Sequence, residues 1–258
     1  MPSENVSTSV ETTDRRTRKR TARRDALLAL AAELVDERGL DGLTMAALAD
    51  AADYAPASLY TYFPSRSALL ASLQQEALAV LGRVAEDQVA RWEAALGRDG
   101  LDAAVAALAR LVGFSRLFLS APEHHTREFR LQQRLLVTPD AEDTGDAATV
   151  VPAAMAVLEV PRRLLADAVA VGALAHQHPE PDPLDQPLDG ALLRTLAWLV
   201  AMNGALMADE LTTGLPTTGA RLGAQLTDAL LVGWGADRGH LDTARAEAQG
   251  LTLPTASR

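Results

Sequence analysis

Between Gly39 and Pro64 the chain has room for two short helices and little else, and this limits what it can build. Upstream, Leu27, Leu30, Ala31, Leu34 and Val35 recur at the spacing of one helix face from about Arg23, and Gly39 stands where a terminating glycine is needed. Thr44 then offers an N-cap oxygen, and Met45, Leu48, Ala49 and Ala52 line a second, short helix. A tight turn occupies Asp53 to Ala55. Pro56 suits the first position of a third helix, where a missing N–H costs nothing, and Leu59 and Phe63 face inward from it. Pro64 stops this helix. Ser65 caps the next, which starts at Arg66 and carries Leu69, Leu70, Leu73, Ala77, Val80 and Leu81 towards Leu96.

Two short helices joined by a tight turn are the minimum needed to seat a helix in the major groove of double-stranded DNA. The third helix, Pro56 to Phe63, spends only Leu59 and Phe63 on the core, leaving Ala57, Ser58, Tyr60, Thr61 and Tyr62 for a partner. Ser58 and Thr61 suit hydrogen bonds to base edges, the Ala57 or Thr61 methyl suits a thymine methyl, and tyrosine hydroxyls and Arg66 suit phosphate. The net charge of −10 argues against a polyanionic partner until its distribution is seen. Arg15, Arg16, Arg18, Lys19, Arg20, Arg23 and Arg24 form a run without an acid, so a basic arm precedes an acidic body. Arg18, Lys19 and Arg20 are expected on phosphate. Residues 1–22 are expected to be a disordered basic arm, 23–70 a DNA-binding domain, 71–236 a second domain, and 237–258 a weakly helical tail.

The run Gly39-Leu40-Asp41-Gly42-Leu43-Thr44-Met45-Ala46-Ala47-Leu48-Ala49, followed by Ala57-Ser58-Leu59-Tyr60-Thr61-Tyr62-Phe63-Pro64-Ser65-Arg66-Ser67-Ala68-Leu69-Leu70, resembles the TetR family of transcriptional regulators. The resemblance implies that Thr44, Tyr60, Tyr62 and Arg66 touch the DNA backbone and that Pro56, Ala57, Ser58 and Thr61 face bases. It also implies an all-α fold in which the three-helix DNA-binding domain is followed by a larger helical ligand-binding and dimerisation domain. The implied default function is a dimeric repressor released from a palindromic operator by a small-molecule effector. The turn departs from the family's Gly-Val-Ser run, with Asp53, Tyr54 and Ala55 in its place. Aspartate tolerates a left-handed backbone, whereas Ala55 forfeits a side-chain cap.

Beyond Gly100 the periodicity stays helical: Leu101 to Leu119, Glu123 to Val137, Val151 to His176, Leu188 to Thr212 and Thr218 to Ala236, with no strand pattern. Pro139 to Thr149 reads as an acidic loop, Pro161 as a kink or break, and Pro179 to Pro187 as a linker. On the last two long helices, Leu192, Leu196, Leu199, Asn203 and Leu206, with Leu222, Leu226, Leu230 and Trp234, form the stripes expected to pair in a homodimer. Candidates to line an effector pocket are Trp92, Phe114, Phe118, His125, Phe129 and Gln133.

Other chemistry finds little support. Cysteine is absent, which removes disulfides, thiolate nucleophiles and thiolate metal sites. Glu123, His124, His125 and Glu128 invite a metal reading, but adjacent histidines point to different faces and no third ligand is evident, so no metal or cofactor is expected. An enzyme would need a nucleophile elbow, P-loop, His-Glu-x-x-His or dinucleotide fingerprint, none of which occurs, although an acid/base pair such as Glu123 with His125 stays open. A helical interaction module with an acidic partner for the arm is the other alternative. No apolar run reaches the length of a membrane span, and the polar N-terminus is unlike a signal peptide, so a cytoplasmic protein without membrane contact is expected.

Overall fold

The computed structural model describes residues 5–97, 100–137, 144–176, 190–208 and 217–254, with side chains of 5–14, 134–147 and 149 outside the description. The expected linker Pro179 to Pro187 lies outside the described residues. Every regular element among those described is a helix: α1 Asn5–Gly42, α2 Met45–Ala52, α3 Pro56–Leu59, α4 Arg66–Leu96, α5 Ala103–His124, α6 Thr126–Val137, α7 Thr144–Ala170, α8 Gly190–Met207, α9 Gly219–Gly233 and α10 Arg238–Gln249. The chain divides into two compact units, residues 1–76 with 139–151 and residues 77–138 with 152–258.

The first unit is built on the stripe read from the sequence. Leu27, Leu28, Ala31, Leu34 and Val35 of α1 are buried, as are Leu43, Leu48, Ala49, Leu59, Phe63, Leu69 and Leu70. Gly39 takes φ 72°, ψ 177° inside the span of α1, a conformation essentially closed to residues with a Cβ, and so turns the chain towards α2. One expectation fails here. The segment from Asn5 is helical and continuous with the body of α1, so the arm is not irregular chain. Its Ser, Thr, Glu and Arg content supplies no apolar stripe, which is why periodicity alone missed it.

The second unit surrounds α5, which touches α6, α8, α9 and α10. Asp102 caps its start by accepting from the Ala104 and Val105 amides at 2.8 and 3.1 Å. Small residues let neighbours close in: a Cβ added at Gly113 would meet Leu251 at 3.1 Å, and one at Gly223 of α9 would stand 2.5 Å from Leu119. At the centre of this packing Ser115 and Thr227 share a hydrogen bond of 2.8 Å between hydroxyls, and the Trp198 indole donates to Thr227 Oγ1 at 2.9 Å. α5 and α8 are each long and apolar enough to cross a membrane, contrary to the sequence expectation. In α5 the apolar residues go into the core of the unit, with Leu108, Leu111 and Ala109 fully buried.

Other boundaries shift. α7 starts at Thr144, shortening the expected acidic loop, and runs unbroken through Pro152 and Pro161, so Pro161 does not split it. The expected weak tail is instead α10, with Leu241, Ala244 and Ala248 buried against the core. Asp237 caps it by accepting from the His240 amide at 2.9 Å. Arg245 reaches Asp228 of α9 at 2.8 Å and Asp242, and Arg116 of α5 donates to the Ala248 carbonyl.

Candidate nucleic-acid interface

Thr44 is extended, with φ −119° and ψ 158°, and its Oγ1 accepts from the Ala47 amide at 3.0 Å, which starts α2. The residue is exposed and keeps its hydroxyl proton for an outside acceptor. At the other end of α2, Asp53 adopts the left-handed conformation, φ 54° and ψ 46°, and its amide closes onto Ala49 and Asp50. Aspartate thus does the work usually left to glycine or asparagine. Ala55 provides no side-chain cap, and Pro56 begins α3.

The third helix is shorter than expected. α3 proper is Pro56–Leu59, and Tyr60 to Tyr62 continue as turns, with the amides of Tyr62 and Phe63 both donating to the Leu59 carbonyl at 2.8 and 2.9 Å. The bifurcated carbonyl tightens the chain just before Pro64, whose ring bars a further helical turn. Leu59 and Phe63 are buried as anchors. Pro56, Ala57, Ser58, Tyr60 and Thr61 are exposed, Tyr60 by 52%, and Tyr62 is half-buried. Of the five left for a partner outside the core, Ala57, Ser58, Tyr60 and Thr61 are exposed and Tyr62 is half-buried, and with Pro56 the exposed ones form a short outward ridge. Thr61 donates its hydroxyl to the Ser58 carbonyl at 2.7 Å, which leaves its methyl and oxygen lone pairs for a partner.

Two arginines do work that a count of charges does not show. Arg24 lies over the Phe63 ring at 5.2 Å and donates to Ser72 at 2.7 Å, so this member of the basic run ties α1 to the start of α4. Arg66 donates through Nε to the Leu43 carbonyl at 2.6 Å and through Nη2 to the Leu40 carbonyl at 2.7 Å. These are the carbonyls just before α2, so Arg66 is a clamp on the motif through two of its five N–H donors. Both roles were hidden because an arginine that packs its stem and spends its head on carbonyls reads in sequence like any surface cation.

On the arm, Arg15, Arg16, Arg18, Lys19, Arg20 and Arg23 are exposed. Arg20 Nη2 donates to the Thr61 carbonyl at 3.0 Å, which brings the arm to the end of the outward ridge. At 100° per residue Arg16, Arg20 and Arg23 share the face that carries Leu27, whereas Arg18 points away from it.

In the second unit the proposed pocket residues split. Trp92 is 1% exposed and donates to the Thr252 carbonyl at 3.2 Å, and Phe114 packs on Trp198 with ring centroids 5.3 Å apart. Both are buried in the core of the second unit. Phe118 and Phe129 meet edge to face at 6.1 Å across α5 and α6. His125 ends α5, with its Nε2 buried and without a partner, and Gln133 is half-buried on α6. Glu128 pairs with Arg127 at 3.1 Å.

The expected pairing stripe also needs correction. Asn203 and Leu206 are buried within the chain, and Leu192, Leu199, Leu222, Leu226, Leu230 and Trp234 are half-buried. Leu196 alone of these is exposed. The outward apolar face of α8 is Leu193, Leu196, Val200 and Met207, exposed by 48, 40, 61 and 44%, with Gly204 between. α8 is apolar nearly all round, so periodicity could not tell its inner face from its outer one.

Residues 27–73 match the family model described as bacterial regulatory proteins, tetR family. A comparison with curated protein sequences gave no match. Among solved structures, RolR without ligand aligns with a TM-score of 0.55 at 19% identity, covering 90% of this chain and 98% of RolR. RolR in complex with resorcinol gives 0.56 at 20% identity, with 93% and 100% covered. SmeT, the repressor of the Stenotrophomonas maltophilia multidrug efflux pump SmeDEF, gives 0.54 at 17%, with 91% and 97% covered. At these identities the structures speak for the fold, and the matched segment holds the whole turn from the buried stripe of α1 to Leu73. Residues 27–73 thus match the model of the tetR family of bacterial regulatory proteins, and the chain shares its fold with RolR and SmeT.

Proposed function

We propose that this chain is a homodimeric, cytoplasmic repressor that binds a palindromic DNA operator and leaves it when a small-molecule effector occupies the second unit. The observation that carries the reading is the exposed ridge Pro56, Ala57, Ser58, Tyr60 and Thr61, held from behind by buried Leu59 and Phe63 and from the side by Arg24 and Arg66. Pro56, Ala57, Ser58 and Thr61 would read base edges. Thr44, Tyr60, Tyr62, Lys19 and Arg20 would hold phosphate, with Arg18, on the far face of α1, reaching only a more distant strand.

A single such ridge is too small to specify a site, and helix-turn-helix readers gain their selectivity by presenting two at one helical turn, about 34 Å. The outward apolar face of α8 supports a second copy, since a solvent-exposed row of Leu193, Leu196, Val200 and Met207 invites burial. Effector sensing is supported by the aromatic corner of Phe118 and Phe129 with His125 and Gln133, and by the resorcinol complex of RolR. Effector binding would favour a spacing of the two ridges that no longer fits successive major grooves. Operator and effector must then weaken each other by the same factor.

The test is selection of bound fragments from the source genome by the purified protein, followed by titration of the recovered site. The expected result is a palindromic consensus whose binding collapses in Ser58→Ala, Tyr60→Ala, Thr61→Ala together and falls steeply with salt. Recovery of unrelated fragments, or equal affinity of that triple variant, overturns the proposal.

A further inference from the structure

Near the start of α8 the second unit holds a buried cation that no carboxylate among the described residues answers. Arg194 is only 7% exposed, and it forms no ion pair among the described residues. Its guanidinium lies 5.6 Å over the Trp234 ring, and Nη1 donates to the Ala175 carbonyl at 2.9 Å. Nε is buried without a partner, and the hydrogen bond of the guanidinium among the described residues is the one from Nη1. Burial pulls the guanidinium below its ordinary range, as expected for a charge taken from water without compensation.

The surrounding frame is rigid. The Ala175 amide donates to the Trp234 carbonyl at 2.8 Å, so the same residue that accepts from Arg194 also ties the end of α9. Gly235, at φ 99°, packs so closely there that an added Cβ would stand 2.9 Å from the Ala175 Cβ. Ala175, His176 and Gly235 are themselves exposed, which keeps this corner next to solvent.

We infer that the unpaired edge of Arg194 is a binding site for a carboxylate anion. Nε and Nη2 are the two parallel donors along one side of a guanidinium, and their spacing matches the two oxygens of a carboxylate. The third nitrogen is held by Ala175, which fixes the plane of the fork before any ligand arrives. Arg194 is the fifth residue of α8, and helical side chains lean towards the N-terminus. The positive end of the 18-residue α8 dipole therefore adds to the same field. A buried, preoriented bidentate donor prefers a planar carboxylate to chloride, which can use only one direction at a time. This site is separate from the aromatic corner at Phe118 and Phe129 and does not depend on the proposed repression.

The test uses the full chain and titrates sodium acetate and sodium benzoate against sodium chloride at constant ionic strength, following tryptophan fluorescence. Trp234 under the guanidinium is the reporter, and Trp234→Phe should silence the signal. Wild type is expected to saturate with either carboxylate below about 100 mM, with Arg194→Gln weakening binding at least about tenfold. Arg194→Lys, which keeps the charge but not the fork, should weaken it several-fold, and it decides alone if the Gln variant does not fold. A linear response without saturation, an unchanged midpoint in the variants, or an equal response to chloride would overturn the site. Equal saturation by inorganic phosphate would overturn the preference for carboxylate.

Discussion

Replacing Arg66 separates two roles that sequence alone merges. Arg66→Ala removes donors at 2.6 and 2.7 Å from the Leu43 and Leu40 carbonyls and leaves both without that partner next to α2. Hydrogen bonds from a charged group are worth about 1.5–3 kcal/mol each, and because Arg66 is half-buried, water recovers part of the loss, so we expect a net cost of about 2–3 kcal/mol. For a unit of this size that lowers its melting temperature by roughly 10–20 °C, which circular dichroism will record. Operator affinity should fall as well, because α2 and the ridge lose a common support. The slope of log affinity against log salt should nevertheless stay the same, since no phosphate contact has gone. A phosphate ligand lost from each half of a dimer would instead flatten that slope by about 1.8, at roughly 0.9 per contact. Arg66→Lys sharpens the contrast: it preserves charge but cannot span two carbonyls, so it should melt nearly as early as the alanine variant. A flattened salt slope with unchanged melting, restored by lysine, would refute the clamp.

Three further outcomes are expected. Leu241→Ala in α10, where the side chain is 1% exposed, should cost about 3 kcal/mol from lost burial and the cavity left behind, against less than about 0.5 kcal/mol for exposed Gln249→Ala, measured by urea unfolding. Asp237 is held below the ordinary carboxylate range, first by the His240 amide, so its stabilisation of α10 is complete above that range and is lost as pH falls through the lowered folded value. Asp237→Asn keeps an acceptor but does not titrate, and should flatten the acid side of the stability profile. Val200→Asp places a charge in the outward row of α8, 61% exposed in the single chain, and should shift sedimentation from dimer to monomer while leaving the helical content intact.

The helix-turn-helix was legible because its signals are local: Thr44 caps, Asp53 turns left-handed, and the two prolines bracket the ridge. Its exact shape was not, since Leu59 and Phe63 at four residues apart suit both a full helix and the single turn followed by tighter bends that forms. α10 escaped notice because its inward face is Leu241, Ala244 and Ala248, one large residue and two small ones, too faint a stripe to stand out from polar neighbours. Trp92 and Phe114 looked like pocket walls because an aromatic side chain has the same letter whether it lines space or fills it. Which face of α8 looks outward depends on what α5 and α9 cover, a long-range fact absent from any local window.

The shared bond among Ser115, Thr227 and Trp198 makes three helices answer to one oxygen. Sliding α5 along α9 by even a single residue would break the bond between the buried Ser115 and Thr227 hydroxyls in a dry interior, so intermediate positions are penalised and only discrete settings survive. A guest that nudges α5 must therefore either be resisted outright or carry α8 and α9 along as one piece, which turns a small local push into an all-or-nothing displacement.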